Sequence, residues 1–234
     1  HEFDEGVANY ARQLANWSTF PTLAANYLFE PNHLLAPLVT PYTIIQADGL
    51  RIGVIGVANF SSLSSITDVG NSLGIIPLNI EQNVQDYVDL LRPHVDLIIA
   101  LSHAGMSKDE RLIRCTSGLD IVLGGHLHVV LSPPKVIEDA AGRPVLLAHS
   151  GAFAKYLGRL DVVVRDSGDP TLGWEVVQHR YQVFPIDGTV PEDPKMLELL
   201  EPYRLLMSQQ IDMTSVFAYT PRLLTKYGYA GGDS

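Results

Sequence analysis

The sequence predicts an α/β fold in which strands and helices first alternate and an antiparallel sheet follows. Three nearly continuous apolar runs, at 51–58, 95–102 and 119–123, have the composition of strands that are covered on both faces. Helical patterns precede the second and third runs, and this order is typical of neighbouring parallel strands joined by right-handed crossovers. After position 128, shorter runs are separated by Gly, Pro and Asp turns, which indicates antiparallel pairing.

The amino-terminal part begins with a helical pattern at 5–17, where apolar side chains recur on one face. Strands are predicted at 21–27 and 42–47. The dipeptide Asp48-Gly49 is a hairpin signal, so the second of these strands is expected to turn back directly into the next one.

Capping patterns mark the starts of the two middle helices. Asn79 followed by Gln82, and Ser107 followed by Glu110, each match the capping box that begins a helix. We therefore expect one helix to start after Asn79 and a second, shorter helix to run from Ser107 to about Thr116.

The carboxy-terminal part is predicted to contain four strands and one helix. The strands are expected at 129–137, 144–148, 158–165 and 173–184. We expect them to form an antiparallel sheet that packs on the first part. The helix is expected at 194–211, with an apolar stripe for packing and a kink at Pro202. Residues 212–234 resemble a linker or the start of another unit.

The composition is that of a folded, acidic protein. Of its 234 residues, 46% are hydrophobic and 18% are charged, which is enough apolar material for a packed core. The net charge of −10 disfavours nucleic acid polymers as partners, and no apolar run approaches the ~18 residues of a transmembrane helix. A small phosphorylated substrate is compatible with this charge if metal ions supply local positive charge. The single cysteine, Cys115, is expected to be a small core residue.

Three histidines follow the ends of two predicted parallel strands. His103 follows the second apolar run, and His126 and His128 lie in the Gly-Gly-His-Leu-His loop after the third. Ligands of open α/β sheets gather at the carboxyl ends of strands, and neutral imidazole is a common metal ligand. The sequence therefore predicts a metal site, and three histidines alone could hold a single catalytic zinc. His149 also ends a predicted strand, but a structural or supporting role is favoured for it.

Two of these segments resemble signature blocks of the calcineurin-like metallophosphoesterases, Leu-Ser-His-Ala-Gly at 101–105 and Gly-Gly-His-Leu-His at 124–128. Three more are similar to blocks of the 5′-nucleotidase branch, which includes UDP-sugar hydrolases and 2′,3′-cyclic phosphodiesterases. They lie at 1–6, 22–26 and 150–161. The resemblance covers roughly residues 1–190, in the family's order.

The resemblance implies a layered β-sandwich flanked by helices, of which this chain would be the second half. Residues 1–190 would be the carboxy-terminal part of the catalytic domain. Residues 191–234 would be a helix and linker leading to an absent nucleotide-binding domain. The implied activity is hydrolysis of phosphoesters, above all nucleoside 5′-monophosphates, by hydroxide activated on two divalent ions such as Zn, Mn or Fe. The implied location is periplasmic or extracellular.

The resemblance also assigns roles residue by residue. His103 and His126 resemble the two histidines on one metal, and His128 resembles a ligand of the other. His1 resembles the histidine that contacts the phosphate and assists the leaving group, with Asp4 as its orienting carboxylate. The family's Asp-x-His, its bridging Asp and the Asn before the catalytic histidine would all lie before His1. Without those carboxylates the chain alone should hold two metal ions poorly, because the ions repel each other.

Two alternatives stay open. The protein could be another member of the branch that acts on nucleotide sugars, cyclic nucleotides or a sulfur ester. Alternatively, the chain could be a non-catalytic piece with an incomplete metal site. Because it begins without Met, we expect an internal piece of a longer protein. Missing strands should then expose a sheet edge and apolar surface near 52–58 or 95–102, for a partner chain or domain swap to cover.

Overall fold

The computed structural model describes residues 2–59, 73–169, 172–210, 215–216 and 219. The helices in these ranges are α1 (Val7–Trp17), α2 (Ile80–Leu91), α3 (Met106–Cys115) and α4 (Pro194–Gln210). The strands are β1 (Thr22–Leu23), β2 (Tyr27–Phe29), β3 (Val39–Thr40), β4 (Tyr42–Ala47), β5 (Leu50–Val57), β6 (Ile75–Pro77), β7 (Leu97–Ser102), β8 (Ile121–Gly124), β9 (Lys135–Glu138), β10 (Pro144–His149), β11 (Tyr156–Asp166) and β12 (Trp174–Pro185). The chain forms two compact units, of which the first ends at Asp187 and the second begins at Gly188.

A six-stranded sheet in the order β4-β5-β7-β8-β10-β9 forms the centre of the first unit. The four inner strands are parallel to one another. The two outer strands, β4 and β9, are antiparallel to their neighbours. This mixed sheet with helices packed against it confirms the predicted α/β class.

The main core lies between the sheet and helices α2 and α3. Its fully buried side chains come from both helices and from the inner strands: Val84, Val88, Leu91, Leu112, Ile113, Ile98, Ala100, Val122 and Leu147. Burial of one such Val, Leu or Ile side chain stabilises the fold by about 1.5–3 kcal/mol. This packing holds the strands rigidly, and with them the loops that leave their carboxyl ends.

The two predicted helix caps have different outcomes. The Asn79 side chain accepts a hydrogen bond from the backbone N–H of Gln82 at 2.8 Å, so the predicted cap of α2 is confirmed. The cap predicted at Ser107 is wrong, because α3 already begins at Met106, after Gly105. Gly105 has φ +96°, and this tight turn leads the chain from β7 into the helix sooner than a side-chain cap would.

The predicted antiparallel carboxy-terminal sheet is only partly correct. Strand β10 inserts between β8 and β9 and pairs with β8 in parallel. Its residues from Val145 to His149 are all buried, as suits an inner strand covered on both faces. Of the strands predicted in this part of the chain, β11 and β12 form an antiparallel pair that is separate from the central sheet. Two predicted strands also differ in extent, since 129–137 is strand only from Lys135 and 21–27 is divided between β1 and β2.

The sheet edges are not where the sequence predicted them. Strands β5 and β7 are paired on both sides, so the exposed edge expected near 52–58 or 95–102 is wrong, and the edges are β4 and β9. Some apolar surface does remain on the sheet, since Ile45 is 46% and Leu101 is 51% exposed. A partner chain or domain swap stays a prediction.

Two further details concern helix faces. Cys115 is exposed rather than in the core, because α3 buries the face with Leu112 and Ile113 and Cys115 lies on another side.

Helix α4 contains Pro202, and no side chain within its described residues is buried, so the predicted packing stripe is exposed. In the described ranges, no helix has both the length and the apolar character needed to cross a membrane.

A buried ion pair joins the amino-terminal ends of β7 and β8, and its loss should be costly. Asp120 is 3% exposed and accepts from Arg92 Nη2 at 2.8 Å and from the Ile98 N–H at 2.7 Å. We expect Asp120→Ala to lower the free energy of unfolding by about 3–5 kcal/mol, because it leaves the Arg92 charge buried without its partner. Denaturant unfolding of the intact protein measures this change.

The matched control removes an exposed ion pair. Glu175 pairs with Arg165 on the surface of the β11–β12 hairpin, and Glu175→Ala should cost less than about 1 kcal/mol. Equal losses for the two variants would contradict the role assigned to Asp120.

Candidate functional site

His103 and His126 lie side by side where two parallel strands end. Strands β7 and β8 pair in register, with Leu101 opposite Leu123, so the segments that follow them leave the sheet together. The imidazole centres of His103 and His126 are 5.4 Å apart, and the ring planes are inclined at 57°. Two imidazoles that bind one zinc ion tetrahedrally at about 2.0–2.1 Å per nitrogen place their ring centres about 5 Å apart. The geometry therefore suits two ligands of a single ion.

The loop after β8 adopts a backbone that is unusual for non-glycine residues. His126 has φ +75° and His128 has φ +58°, both in the left-handed region. Each such residue costs roughly 1–2 kcal/mol, and the cost is tolerated mostly at functional sites. Gly125 allows a close approach, since a Cβ there would lie 3.2 Å from His103 Nδ1. The absence of a side chain at Gly125 thus lets the loop pass close to His103.

The surroundings of His126 favour its neutral form. Burial lowers the pKa of His126, and electrostatic interaction with His103 and Lys108 lowers this pKa further. Neutral imidazole is the form that binds a metal ion. The surroundings of His126 therefore favour the form that a metal ligand needs.

His128 faces different neighbours. Its ring meets the Phe153 ring edge-on at 4.7 Å, and Lys155 Nζ lies 5.7 Å from the centre of that same ring. Among the described residues, no three His, Cys, Asp or Glu side chains come close enough together to hold a metal ion. The structure therefore brings together His103 and His126 but not the third predicted ligand. The described part of the chain thus places two candidate ligands together, and a metal site here would need further ligands.

The two predicted catalytic residues are at the amino terminus. His1 lies outside the described residues. Asp4 is exposed in the turn that precedes α1, and the neighbouring Phe3 is buried and anchors this turn. Glu2 and His103 line the same pocket of about 330 Å³, so the amino-terminal turn borders the histidine site.

A buried pair of polar residues lies beneath the histidine loops. His149 Nε2 is 2.9 Å from Asp109 Oδ2, and the two side chains are 2% and 0% exposed. The sequence favoured a structural or supporting role for His149, and its burial agrees with that interpretation. The sequence gives no signal for Asp109, because an acid in the first turn of an amphipathic helix is ordinarily exposed.

Comparison with known proteins gives consistent relatives, although no protein-family model matches the sequence. The chain is 31% identical over 194 residues to a snake venom 5′-nucleotidase of Crotalus adamanteus, covering 72% of the chain and 31% of the relative. It is 25% identical over 244 residues to human 5′-nucleotidase, covering 93% of the chain and 40% of the relative. The chain therefore spans only about a third of the length of the curated relatives it matches.

Solved structures share the fold. The crystal structure of a 5′-nucleotidase precursor from Thermus thermophilus superposes with a TM-score of 0.75 at 26% identity, covering 88% of this chain and 42% of that one. A calcineurin-like phosphoesterase from Bacillus subtilis superposes with a TM-score of 0.67 at 18% identity, covering 90% and 69%. The second likeness concerns the fold alone.

The chain has the fold that these phosphoesterase structures share. Within the calcineurin-like phosphoesterase superfamily, the relatives confirm the resemblance to the 5′-nucleotidase branch.

The close packing around Gly124 gives a steric prediction. A Cβ on Gly124 would lie 2.0 Å from His149 Nε2 and 2.3 Å from Asp109 Oδ2, so both buried side chains would have to move. We expect Gly124→Ala to lower the free energy of unfolding by about 1–3 kcal/mol or more, the range of overpacked cores.

Gly188 provides the control, because a Cβ there meets no atom within 4 Å. Gly188→Ala should change the stability by no more than about 0.5 kcal/mol. A Gly124→Ala variant as stable as this control in thermal unfolding of the intact protein would show that the close packing around Gly124 is wrong.

Proposed function

We propose that the intact protein is a metal-dependent phosphoesterase whose main substrates are nucleoside 5′-monophosphates. The observation that carries this proposal is the approach of His103 and His126 at two parallel strand ends. The relatives that are named 5′-nucleotidase support the substrate class. An acidic chain attracts phosphate poorly on its own, so the proposal includes bound divalent ions to supply positive charge.

Each candidate residue has a proposed part in this reaction. His103 and His126 would hold one ion and His128 a second, while carboxylates from outside the described residues would bridge them. When bound, the two ions would supply an activated hydroxide and neutralise the phosphate oxygens. His1 would give a proton to the leaving oxygen, and Asp4 would orient its ring and stabilise the charged form.

A periplasmic or extracellular location is part of the same proposal. Two relatives are named for snake venom, a secreted fluid, which supports export. Fractionation of the source cells, with detection of the protein by antibody, tests the location, and a protein found only in the cytosol would contradict it.

The metal site is tested most directly at His126. We expect His126→Ala in the intact protein to lower metal content and to reduce AMP hydrolysis by more than 100-fold, because one of the two facing imidazoles is lost. Metal content is measured by mass spectrometry and activity by phosphate release. His94→Ala is the matched control, since His94 is exposed and lies at the opposite end of the sheet.

The substrate panel decides between the branch activities. AMP is compared with a nucleotide sugar, a 2′,3′-cyclic nucleotide and a thiosulfate ester, and preference for one of the last three would replace the proposed substrate. The isolated 234-residue chain is assayed alongside, and we expect little metal and little activity, because imidazole ligands offer no negative charge to offset the repulsion between two metal ions. An intact protein without metal, or with activity that His126→Ala leaves unchanged, would refute the assignment.

A variant at His1 distinguishes proton transfer to the leaving group from metal binding. We expect His1→Ala in the intact protein to lower kcat for AMP by about 10²–10⁴-fold, the usual contribution of a general acid, while metal content stays the same. A substrate with a better leaving group, such as p-nitrophenyl phosphate, should be affected less because it needs less protonation. Equal losses on both substrates, or loss of metal, would contradict the role of proton donor.

A further inference from the structure

The buried pair of Asp109 and His149 is part of a larger polar cluster. Ser102 Oγ donates a hydrogen bond to Asp109 Oδ1 at 2.6 Å, while His149 Nε2 contacts Asp109 Oδ2 at 2.9 Å. Ser102 Oγ also accepts from the Ala104 N–H at 3.1 Å. All three side chains are at least nine-tenths buried. Both oxygens of the Asp109 carboxylate are therefore used inside the protein.

The contact also bears on the tautomer of His149. A carboxylate can only accept, so opposite an ionised Asp109 the His149 Nε2 is the donor. His149 Nδ1 is buried and has no hydrogen-bond partner in the described part of the chain. Nε2 of the imidazole thus contacts Asp109, while Nδ1 makes no hydrogen bond among the described residues that would offset its burial.

Burial of this polar cluster costs free energy that apolar side chains in the same space would not. A buried carboxylate with few donors loses its hydration, and well-packed apolar side chains of similar volume are often as stabilising or more so. Stability alone therefore does not account for it. The position of its members gives a better account.

The cluster joins every element that carries the histidine loops. Ser102 ends β7 and, through its bond to the Ala104 N–H, holds the backbone on both sides of His103. Asp109 belongs to α3, and His149 ends β10 in register with Gly124 at the end of β8. The Gly124 backbone lies directly against the contact between Asp109 and His149.

We propose that Asp109 and His149 are positioning residues that set the separation of the loop with His103 from the loop with His126 and His128. They act from beneath through Ser102 and Gly124 and touch neither ion nor substrate. The inference rests on the proposed function only for what the loops hold; the positioning itself is a property of the protein without metal.

The first measurement uses the intact protein without metal. Amide hydrogen exchange is followed at residues 102–105 and 124–128 in wild type, His149→Leu and Asp109→Asn. We expect exchange at both segments to become at least several-fold faster, because the loops lose their common support. Asp120→Asn is the control, since it alters another buried carboxylate at the opposite strand ends and should leave these two segments unchanged.

The second measurement is the affinity for zinc or manganese, by chelator competition, corrected for the folded fraction. His149→Leu and Asp109→Asn should weaken binding by about 10–100-fold, the usual effect of groups that orient ligands. His149→Gln retains an N–H donor and should recover much of the loss. Asp120→Asn should bind metal like wild type.

The outcomes separate the two proposals. A wild-type protein without metal affinity refutes the proposed function, while faster exchange in the variants still supports positioning. Unchanged exchange at both segments overturns positioning, as does a metal-binding wild type whose His149→Leu and Asp109→Asn variants keep full affinity. Variants that lose only global stability, as Asp120→Asn does, would give the cluster a structural role alone.

Discussion

The parallel pairing of β7, β8 and β10 is the constraint on which the site depends. Leu101 lies opposite Leu123 and Gly124 lies opposite His149, so the carboxyl ends of the three strands lie side by side. Parallel strands need crossover connections, and α3 provides the one between β7 and β8. The same crossover places Asp109 beneath these strand ends. The strand register therefore determines how close His103 and His126 lie, and a register shift between β7 and β8 would separate them.

The backbone of the site is strained, and the sheet makes this tolerable. Left-handed conformations at His126 and His128 cost free energy that a free loop would recover by relaxing. Here the loop begins at Gly124, which pairs with His149 of β10 and follows Leu123, the last residue of β8 to pair with β7. The polar cluster packs against Gly124 from below. The core between the sheet and the two helices offsets the cost. The fold thus fixes the positions of the histidines, and a ligand bound by them would cost less conformational entropy than one bound by a free loop.

The sequence predicted the features that depend on local pattern. The inner strands at 51–58 and 95–102 are predictable because they are nearly continuous apolar runs, and the cap at Asn79 is predictable because it bonds to a residue three positions away. Features that depend on pairing were not predictable. An apolar run at 144–148 does not specify its neighbour, and Asp109 and His149 are 40 positions apart. Motif resemblance placed His103 and His126 together, but it could not show that His128 turns towards Phe153.

Burial and hydrogen bonding explain why Asp109 is not itself a candidate metal ligand. It is a carboxylate close to two imidazoles, and a site for two dications needs such anions. Yet it is fully buried, and its oxygens already accept from Ser102 and His149. Turning it towards an ion would leave both donors unsatisfied at a cost of about 1–3 kcal/mol each. Its charge can still favour a cation above it through the low-dielectric interior, while its hydrogen bonds hold the loops. A carboxylate placed in this way would support the proposed metal centre through the positions of the histidines and not by binding an ion itself.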